Sequence, residues 1–370
     1  MRVLVTGADG FLGRNLRVRI AEIGGHELLP IGRDSSEAAV AEAVAAADIV
    51  IHLAGVNRPP DPADYFVGNA GATEKLCATL AATGRRIPVV FSSSTQAVLD
   101  NPYGRSKRAA EEALEAYSAV TGSPVHLFRL TNVFGKWSRP NYNSAVATFC
   151  HNISRGLPIT VHDPAAPLKL LYVDDCIDAF LAVLRDPFDS GGVREAGPVY
   201  ATTVGEVADT LRAIHASRET LLTPPVGAGL VRALHSTYLS FLPVEAFAYS
   251  VTRHSDPRGE FVEMLRTGDS GQVSYFTAHP GVTRGSHYHH SKTEKFLVVR
   301  GTARFGFRHV DTGQRHEITV LGGEGKIVET VPGWAHDVTN IGDDELIVML
   351  WANELFDRER PDTIAMKVEG

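Results

Sequence analysis

With 370 residues, 44% of them hydrophobic and 21% charged, the chain has the composition of a soluble globular protein and is longer than one ordinary domain, so two cores are expected. A formal net charge of −7, with no run of like charges and no basic stripe interleaved with aromatics, argues against nucleic acid as a partner. Cys77, Cys150 and Cys176 are scattered without a C-x-x-C, no apolar run reaches membrane-spanning length and the N-terminus runs straight into a strand, which together point to a cytoplasmic protein.

In chain order, "RVLVT" (2–6), "HELLPI" (26–31), "DIVIHLA" (48–54), "IPVVFSS" (87–93) and "PVHLFRL" (124–130) are short apolar runs separated by segments of helical length. This alternation predicts a parallel sheet with helices on both faces, a doubly wound α/β fold. The first turn, "TGADGFLG", sets Gly7, Gly10 and Gly13 between a strand and a helix that opens on Phe11 and Leu12. Glycines in that context let backbone amides and a helix N-terminus approach a pyrophosphate. After the second strand, Arg33 stands where an NAD site usually places an acidic residue; a cation there suits a 2′-phosphate and favours NADPH.

"NPYGRSK" then places Tyr103 and Lys107 four apart at the start of a helix, on one face. The cation is expected to lower the phenol's pKa. With Ser94 of "FSSSTQ", the pair would deliver a proton to a carbonyl oxygen as hydride arrives from the nicotinamide. Over about the first 240 residues, "TGADGFLG", "HLAG", "NAGAT", "FSSS", "YGRSK", "RLTNVFG" and "YVDD" follow an order that resembles the extended short-chain dehydrogenase/reductases of nucleotide sugars. The resemblance implies a Rossmann-like fold with Ser94, Tyr103 and Lys107 catalytic. It puts Leu53, Ala54, Gly55 and Asn69 on the cofactor side, and Asn132 with the segment "KWSRPNYNS", including Asn141 and Asn143, in a sugar-nucleotide pocket. The span from Ser94 to Tyr103 is shorter than in most members, which leaves the choice among Ser92, Ser93 and Ser94 open.

From about residue 250 helical segments give way to "GQVSYFTA", "EKFLVVRG", "TARFGFRHV", "HEITVL" and "ELIVMLWAN", separated by Gly, Asp and Asn turns. An antiparallel barrel or jelly roll is expected, with the boundary near 247, giving domains 1–246 and 247–370. In "GVTRGSHYHHSKTEKFLVVRG", His287 and His289 are two apart and so point to one side of a strand. Glu294 and the distant His336 would complete three nitrogens and one oxygen, a set for Zn²⁺ or a similar divalent ion, with His290 as competing ligand or catalytic group. The spacing from Gly281 to Gly301 resembles the first motif of the cupin family. Gly325, Gly333, His336 and Asn340 fit its second motif, with Pro332 displaced by one position.

A 4-keto sugar could use both sites, because its carbonyl acidifies the hydrogen on carbon 3 and also accepts hydride. Across almost the whole chain the motifs resemble bifunctional capsule and O-antigen enzymes that join a reductase to a C-terminal cupin, "FGKWSRPNYNSAVATF", "DPRGEFVE" and "MLWANELFD" included. The resemblance implies carbon-3 epimerisation of UDP-2-acetamido-2,6-dideoxy-L-arabino-hex-4-ulose by the cupin. NADPH-dependent reduction at carbon 4 to UDP-2-acetamido-2,6-dideoxy-L-talose would follow, toward UDP-N-acetyl-L-fucosamine, in a homodimer. Lys292, His290 and Glu263 are the candidate bases, and Asp256 with Arg258 would bind diphosphate or form a turn ion pair. The rival readings are a reductase whose cupin only mediates dimerisation, a reductase of another 4-keto sugar, and a non-catalytic NADPH sensor.

Overall fold

The computed structural model describes residues 1–359 and 361–369. The chain forms two compact units, Met1–Leu211 with Ala228–Pro243, and Arg212–Gly227 with the chain from Val244 onward.

In the first unit, strands β1 (Arg2–Thr6), β2 (Glu27–Ile31), β3 (Ile49–His52), β4 (Val89–Ser94) and β5 (Val125–Leu130) alternate with helices α1 (Phe11–Ile23), α2 (Glu37–Ala46), α3 (Ala72–Ala82) and α4 (Pro102–Thr121). Then come β6 (Asn132–Phe134), α5 (Ala145–Ile153), β7 (Pro167–Tyr172), α6 (Val173–Val183), β8 (Gly192–Arg194) and β9 (Val199–Thr203). Helix α7 (Val204–Thr220) starts in this unit and, from Arg212, belongs to the second; α8 (Gly229–Ser240) returns to the first. The main sheet runs β2-β1-β3-β4-β5-β8, parallel throughout, and β6-β7-β9 form a smaller sheet. β3 and β4 are buried at every position and read as apolar runs ending in polar residues, His52 in β3 and three serines in β4, as strands covered on both faces allow where those groups are hydrogen-bonded. Leu4, Val50, Val89, Phe91 and Leu127 of the sheet pack on Leu76 and Leu80 of α3 and on Leu114 and Tyr117 of α4. Burial on this scale contributes about 1.5–3 kcal/mol for each large side chain. The strand order reverses at β1, so the loops leaving β1 and β3 face a topological switch point, where open α/β sheets bind ligands.

Among its described residues, the regular structure of the second unit is β apart from the end of α7 and one short 3₁₀ turn. Its strands are β10 (Leu222–Thr223), β11 (Arg253–Asp256), β12 (Gly259–Thr267), β13 (Gly271–Ala278), β14 (Thr283–Tyr288), β15 (Glu294–Arg300), β16 (Thr302–His309), β17 (Arg315–Leu321), β18 (Ile327–Glu329), β19 (Trp334–Asn340), β20 (Leu346–Ala352) and β21 (Ile364–Ala365). They form the sheets β10-β12-β13-β20-β15-β18, with β11 on β12, and β17-β16-β19-β14-β21. Phe276, Phe296 and Val348 from the first meet Phe305, Val320 and Val338 from the second in one core. The period-2 alternation of buried and outward residues in β13 and β15 is what a half-covered strand requires. Arg212–Gly227 joins this unit although its sequence texture continues the α/β half. The texture follows the chain, whereas a unit is defined by which residues pack together.

Candidate functional sites

At the carboxyl end of β1, Gly7 has φ +67°, and a Cβ there would lie 2.8 Å from Ala54 N and 2.9 Å from the Leu53 carbonyl carbon. Only glycine lets these two loops meet. A Cβ on Gly13 would lie 2.3 Å from Gly7 O, so the absence of a side chain seats α1 against the loop. Gly10 caps α1 with no side-chain hydrogen bond, and the first turn holds no acidic residue. Phe11 and Leu12 thus open a helix whose positive end is uncompensated, a fit for a pyrophosphate. Arg33 is exposed just beyond β2, next to Asp34.

The loop after β3 brings Gly55 to Asn69, where a Cβ would lie 2.8 Å from Oδ1 and 3.9 Å from Lys107 Nζ. Asn69, buried in the π-helical turn Phe66–Gly71, accepts from Val56 N at 2.8 Å and donates to Val56 O at 3.1 Å and Ser106 Oγ at 2.9 Å. Every residue of "NPYGRSK" that matters has a local task. Asn101 Oδ1 caps α4 by accepting from Gly104 N at 2.8 Å, and Pro102 occupies the first helical turn, where its missing N–H costs nothing. A Cβ on Gly104 would lie 2.3 Å from Gln96 O and 2.6 Å from Leu99 O, so glycine lets α4 press against the segment that follows Ser94.

The three serines part here. Ser92 Oγ donates to His52 O at 3.3 Å, and Ser93 Oγ donates to the buried carboxylate of Glu111. Ser94, which accepts from Gln96 N at 3.1 Å, is the one whose hydroxyl acts on the Tyr103 phenol. Lys107 is buried over the Phe91 ring at 4.3 Å and donates to Ser92 O at 2.7 Å. Burial lowers its pKa to about 8, against the pull of Glu111. The expected depression of Tyr103 by this cation is corrected by the structure. Burial pushes the phenol up, the Ser94 hydroxyl opposes the rise, and Tyr65, its ring 5.5 Å away, adds to it. Lys107 is turned to the Ser92 carbonyl, which is why it does not act on the phenol.

Asn132 is exposed at the start of β6; Asn141, at φ +54°, donates through its N–H to Thr148 Oγ1 at 3.0 Å, and Asn143 is exposed just before α5. The intervening segment is held by its main chain. Arg14 donates to Trp137 O, Asn15 Nδ2 to Lys136 O at 3.3 Å, and Arg58 to Tyr142 O. Sequence reasoning named none of these three anchors, because neither two surface arginines nor a single buried asparagine carries a pattern that marks a carbonyl partner. It also missed Glu111, whose signal was its place one helical turn after Lys107.

In the second unit, His287, His289, Glu294 and His336 converge, with one ligand atom from each lying within 4.8 Å of the others. β14 pairs with β19 so that His287 lies opposite His336, and the irregularity at Ser286, φ +62°, re-aims the strand just before the first ligand. Glu294 Oε2 is 3.4 Å from His289 Nε2 and 3.5 Å from His336 Nε2, and Oε1 is 3.3 Å from Lys292 Nζ. Burial opposes the charge on Glu294, but the His289 and His336 rings beside it and the Lys292 ammonium outweigh it and hold the carboxyl far below its usual range. His287 is lowered to about 4, first by burial and then by the neighbouring imidazoles.

The donor set passes a direct test for a cation. His289 Nδ1 lies 2.5 Å from the Asp362 carbonyl, which can only accept, so the neutral ring presents the lone pair of Nε2 toward Glu294 Oε2. His336 Nε2 is buried with no hydrogen-bond partner. A tetrahedral ion with bonds of about 2.1 Å would hold its donors about 3.4 Å apart, close to both spacings around Oε2. His290 is not part of the cluster: its ring is exposed and packs edge-on against Tyr288. Arg258 pairs with Asp256 across the β11–β12 turn, 2.6 Å from Nη2 to Oδ2, and Asp256 also accepts the Arg258 N–H at 2.8 Å. That is the turn ion pair of the two expected alternatives. Glu263 lies on β12, 3.9 Å from Arg266.

Residues 3–196 match the NAD dependent epimerase/dehydratase family, and residues 254–364 match the polysaccharide biosynthesis C-terminal domain. The chain is 56% identical, over 100% of its length and 99% of the relative's, to a Pseudomonas aeruginosa protein named UDP-2-acetamido-2,6-beta-L-arabino-hexul-4-ose reductase. It resembles the crystal structure of the capsular polysaccharide assembling protein CapF from Staphylococcus aureus with a TM-score of 0.92 at 38% identity, covering 99% of this chain and 100% of that one. A smaller part, 58% of this chain and 82% of the other, resembles RMD from Pseudomonas aeruginosa complexed with NADPH, with a TM-score of 0.51 at 26% identity. The chain belongs to the NAD dependent epimerase/dehydratase family, and its second unit carries the polysaccharide biosynthesis C-terminal domain.

Proposed function

We propose that this chain is a cytoplasmic bifunctional nucleotide-sugar enzyme, a homodimer in solution. Its second unit, a cupin, epimerises carbon 3 of UDP-2-acetamido-2,6-dideoxy-L-arabino-hex-4-ulose, and its first reduces carbon 4 to UDP-2-acetamido-2,6-dideoxy-L-talose. The observation that carries the reading is the convergence of Tyr103, Ser94, Lys107 and Asn69 beside the glycine loop. It is joined to a 56% identical full-length relative named for reduction of that 4-keto sugar.

Gly7, Gly10, Phe11, Leu12 and Gly13 would hold the pyrophosphate of NADPH, Arg33 its 2′-phosphate, and Leu53, Ala54 and Gly55 the adjoining ribose. Bound there, NADPH supplies the hydride, and a divalent ion such as Zn²⁺ held by His287, His289, Glu294 and His336 supplies positive charge that favours an enolate. Tyr103 gives its phenolic proton to the carbon-4 oxygen, and Ser94 donates a hydrogen bond to the same oxygen. A phenol kept neutral by burial is in the right state to donate. Lys107, its Nζ 3.9 Å from where a Gly55 Cβ would lie, is placed beside the Gly55 and Asn69 cradle to fix the cofactor ribose. Asn132, Asn141 and Asn143 offer amides to the sugar and uridine. In the second unit Lys292 is our candidate for the group that takes the carbon-3 proton; exposed His290 would exchange it with solvent.

Incubation of the protein with the UDP-4-keto sugar in D₂O without NADPH tests the order of events. Enzyme-dependent deuterium uptake at carbon 3, followed on NADPH addition by loss of the keto resonance, is expected. Reduction without exchange would leave a reductase whose second unit has no epimerase activity.

A further inference from the structure

One residue far along the chain makes five polar contacts with the turn that joins two of the metal-site side chains. Asp362 Oδ1 accepts from His290 N at 2.9 Å; Oδ2 accepts from Ser291 N and Lys292 N, each at 2.9 Å, and from Ser291 Oγ at 3.0 Å. Its main-chain carbonyl accepts from His289 Nδ1 at 2.5 Å. The backbone bends to make this possible: Asp362 has φ +31°, in the left-handed region that aspartate tolerates better than most residues. Two flanking contacts brace it. β21 pairs with the end of β14, Ala365 opposite His287 and Ile364 opposite Tyr288, and Met366 N donates to Ser286 O at 2.9 Å.

These contacts have different effects. Three successive N–H groups aimed at one carboxylate set the path of the chain between His289 and Glu294 and therefore the starting point of the Lys292 side chain. The carbonyl contact selects which ring nitrogen of His289 keeps its proton, leaving Nε2 as the donor atom. Without the Asp362 carboxylate, three N–H groups in a tight turn would need water, and the main chain that presents the carbonyl to His289 Nδ1 would lose its tether, leaving the ring free to change tautomer and to rotate.

We infer that Asp362 is the positioning residue of the metal centre, fixing the His289–Lys292 turn with its carboxylate and the His289 tautomer with its carbonyl. The inference rests on the metal reading of the four-ligand cluster. Asp362 itself lies outside the ligand set and acts through His289 and the turn.

The test uses the full-length protein stripped of metal, with Zn²⁺ affinity measured by competition with a chromophoric chelator and Co²⁺ as spectroscopic probe. D362A should bind Zn²⁺ about 10–100-fold more weakly, the usual consequence of removing a partner that orients a ligand. Its Co²⁺ ligand-field bands should lose intensity or shift. Both variants keep the main-chain carbonyl, but D362N also keeps one side-chain acceptor oxygen and should fall between D362A and wild type. Affinities and Co²⁺ spectra for both variants that match wild type would overturn the inference. So would a lowered melting temperature of the metal-free protein with unchanged metal affinity, the signature of a purely structural role. If D362A does not fold, D362N decides, a several-fold loss of affinity supporting the role and wild-type affinity ending it. Wild-type protein that takes up neither ion would remove the metal reading itself, a result distinct from intact wild-type binding with indifferent variants.

Discussion

Arg129 grips Glu111 with two hydrogen bonds, 3.0 Å from Nε to Oε1 and 2.7 Å from Nη2 to Oε2, one helical turn beyond Lys107. The same carboxylate accepts from Ser93, so one buried acid ties β4, β5 and α4 together beneath the reductive site. Arg129 reaches solvent, so the pair is worth less than a fully sequestered one. Glu111→Ala leaves Ser93 without its acceptor and removes the negative charge that holds the Lys107 ammonium. We expect a loss of about 2–3 kcal/mol, read from the first transition in urea, and a fall in reduction rate.

Tyr103→Phe should separate the two activities. Removing the proton donor should lower NADPH consumption by about 10²–10⁴-fold, the usual scale for general-acid catalysis. Deuterium uptake at carbon 3 should be unaffected, because none of the cluster residues His287, His289, Glu294 and His336 changes. Ser94→Ala should cost less, whereas Ser93→Ala should act on stability through Glu111. Equal effects of all three changes on the reduction step would contradict the separation of the serines.

The reduction step should weaken as pH rises through about 8. Lys107 has its pKa lowered to about 8 by burial, so the folded chain holds the ammonium below that pH and loses it above. In an unfolded chain lysine keeps its proton to about 10.4, so between those values the unfolded state binds more protons. Burying the charge therefore costs stability below about pH 8, and this cost is relieved as pH climbs toward 10. Stability and reduction should accordingly move in opposite directions over that window, which thermal melts and kcat/KM profiles recorded together would show. Lys107→Met should abolish the stability slope.

Arg33→Ala should narrow the preference between the two nicotinamide cofactors. A guanidinium on a 2′-phosphate is worth about 1.5–3 kcal/mol, so KM for NADPH should rise about 10–100-fold while that for NADH changes little. An unchanged ratio would move the phosphate contact to another residue.

The α/β half was legible because its signals are local. A glycine that must avoid Ala54, a proline at the first turn of α4 and a capping Asn101 each act within a few residues of where they are read. The convergence of the His/Glu cluster was legible for a related reason: His287, His289 and Glu294 lie on one short stretch, and only His336 had to be found at a distance. Legibility ended where hydrogen bonds decide among equivalents. Ser92, Ser93 and Ser94 are identical letters, separated only by what faces them: His52, Glu111 and Tyr103. The phenol's environment was misjudged because i,i+4 spacing gives proximity but not the direction of a flexible ammonium, which found the Ser92 carbonyl. Asp362 gave no signal at all, since a lone aspartate some seventy positions from its partners matches no period or motif.

Arg14, Asn15 and Arg58 hold the 136–142 segment by its carbonyl oxygens and leave its side chains out of the bargain. Such anchoring is blind to sequence: any residue at Trp137 or Tyr142 other than one that cannot adopt the local backbone offers the same oxygen, whereas Lys136 also pairs with Asp174 through its ammonium. A lineage can therefore exchange the groups displayed at 137 and 142 while the segment keeps its outline, so variety on this surface need not begin with loss of the fold.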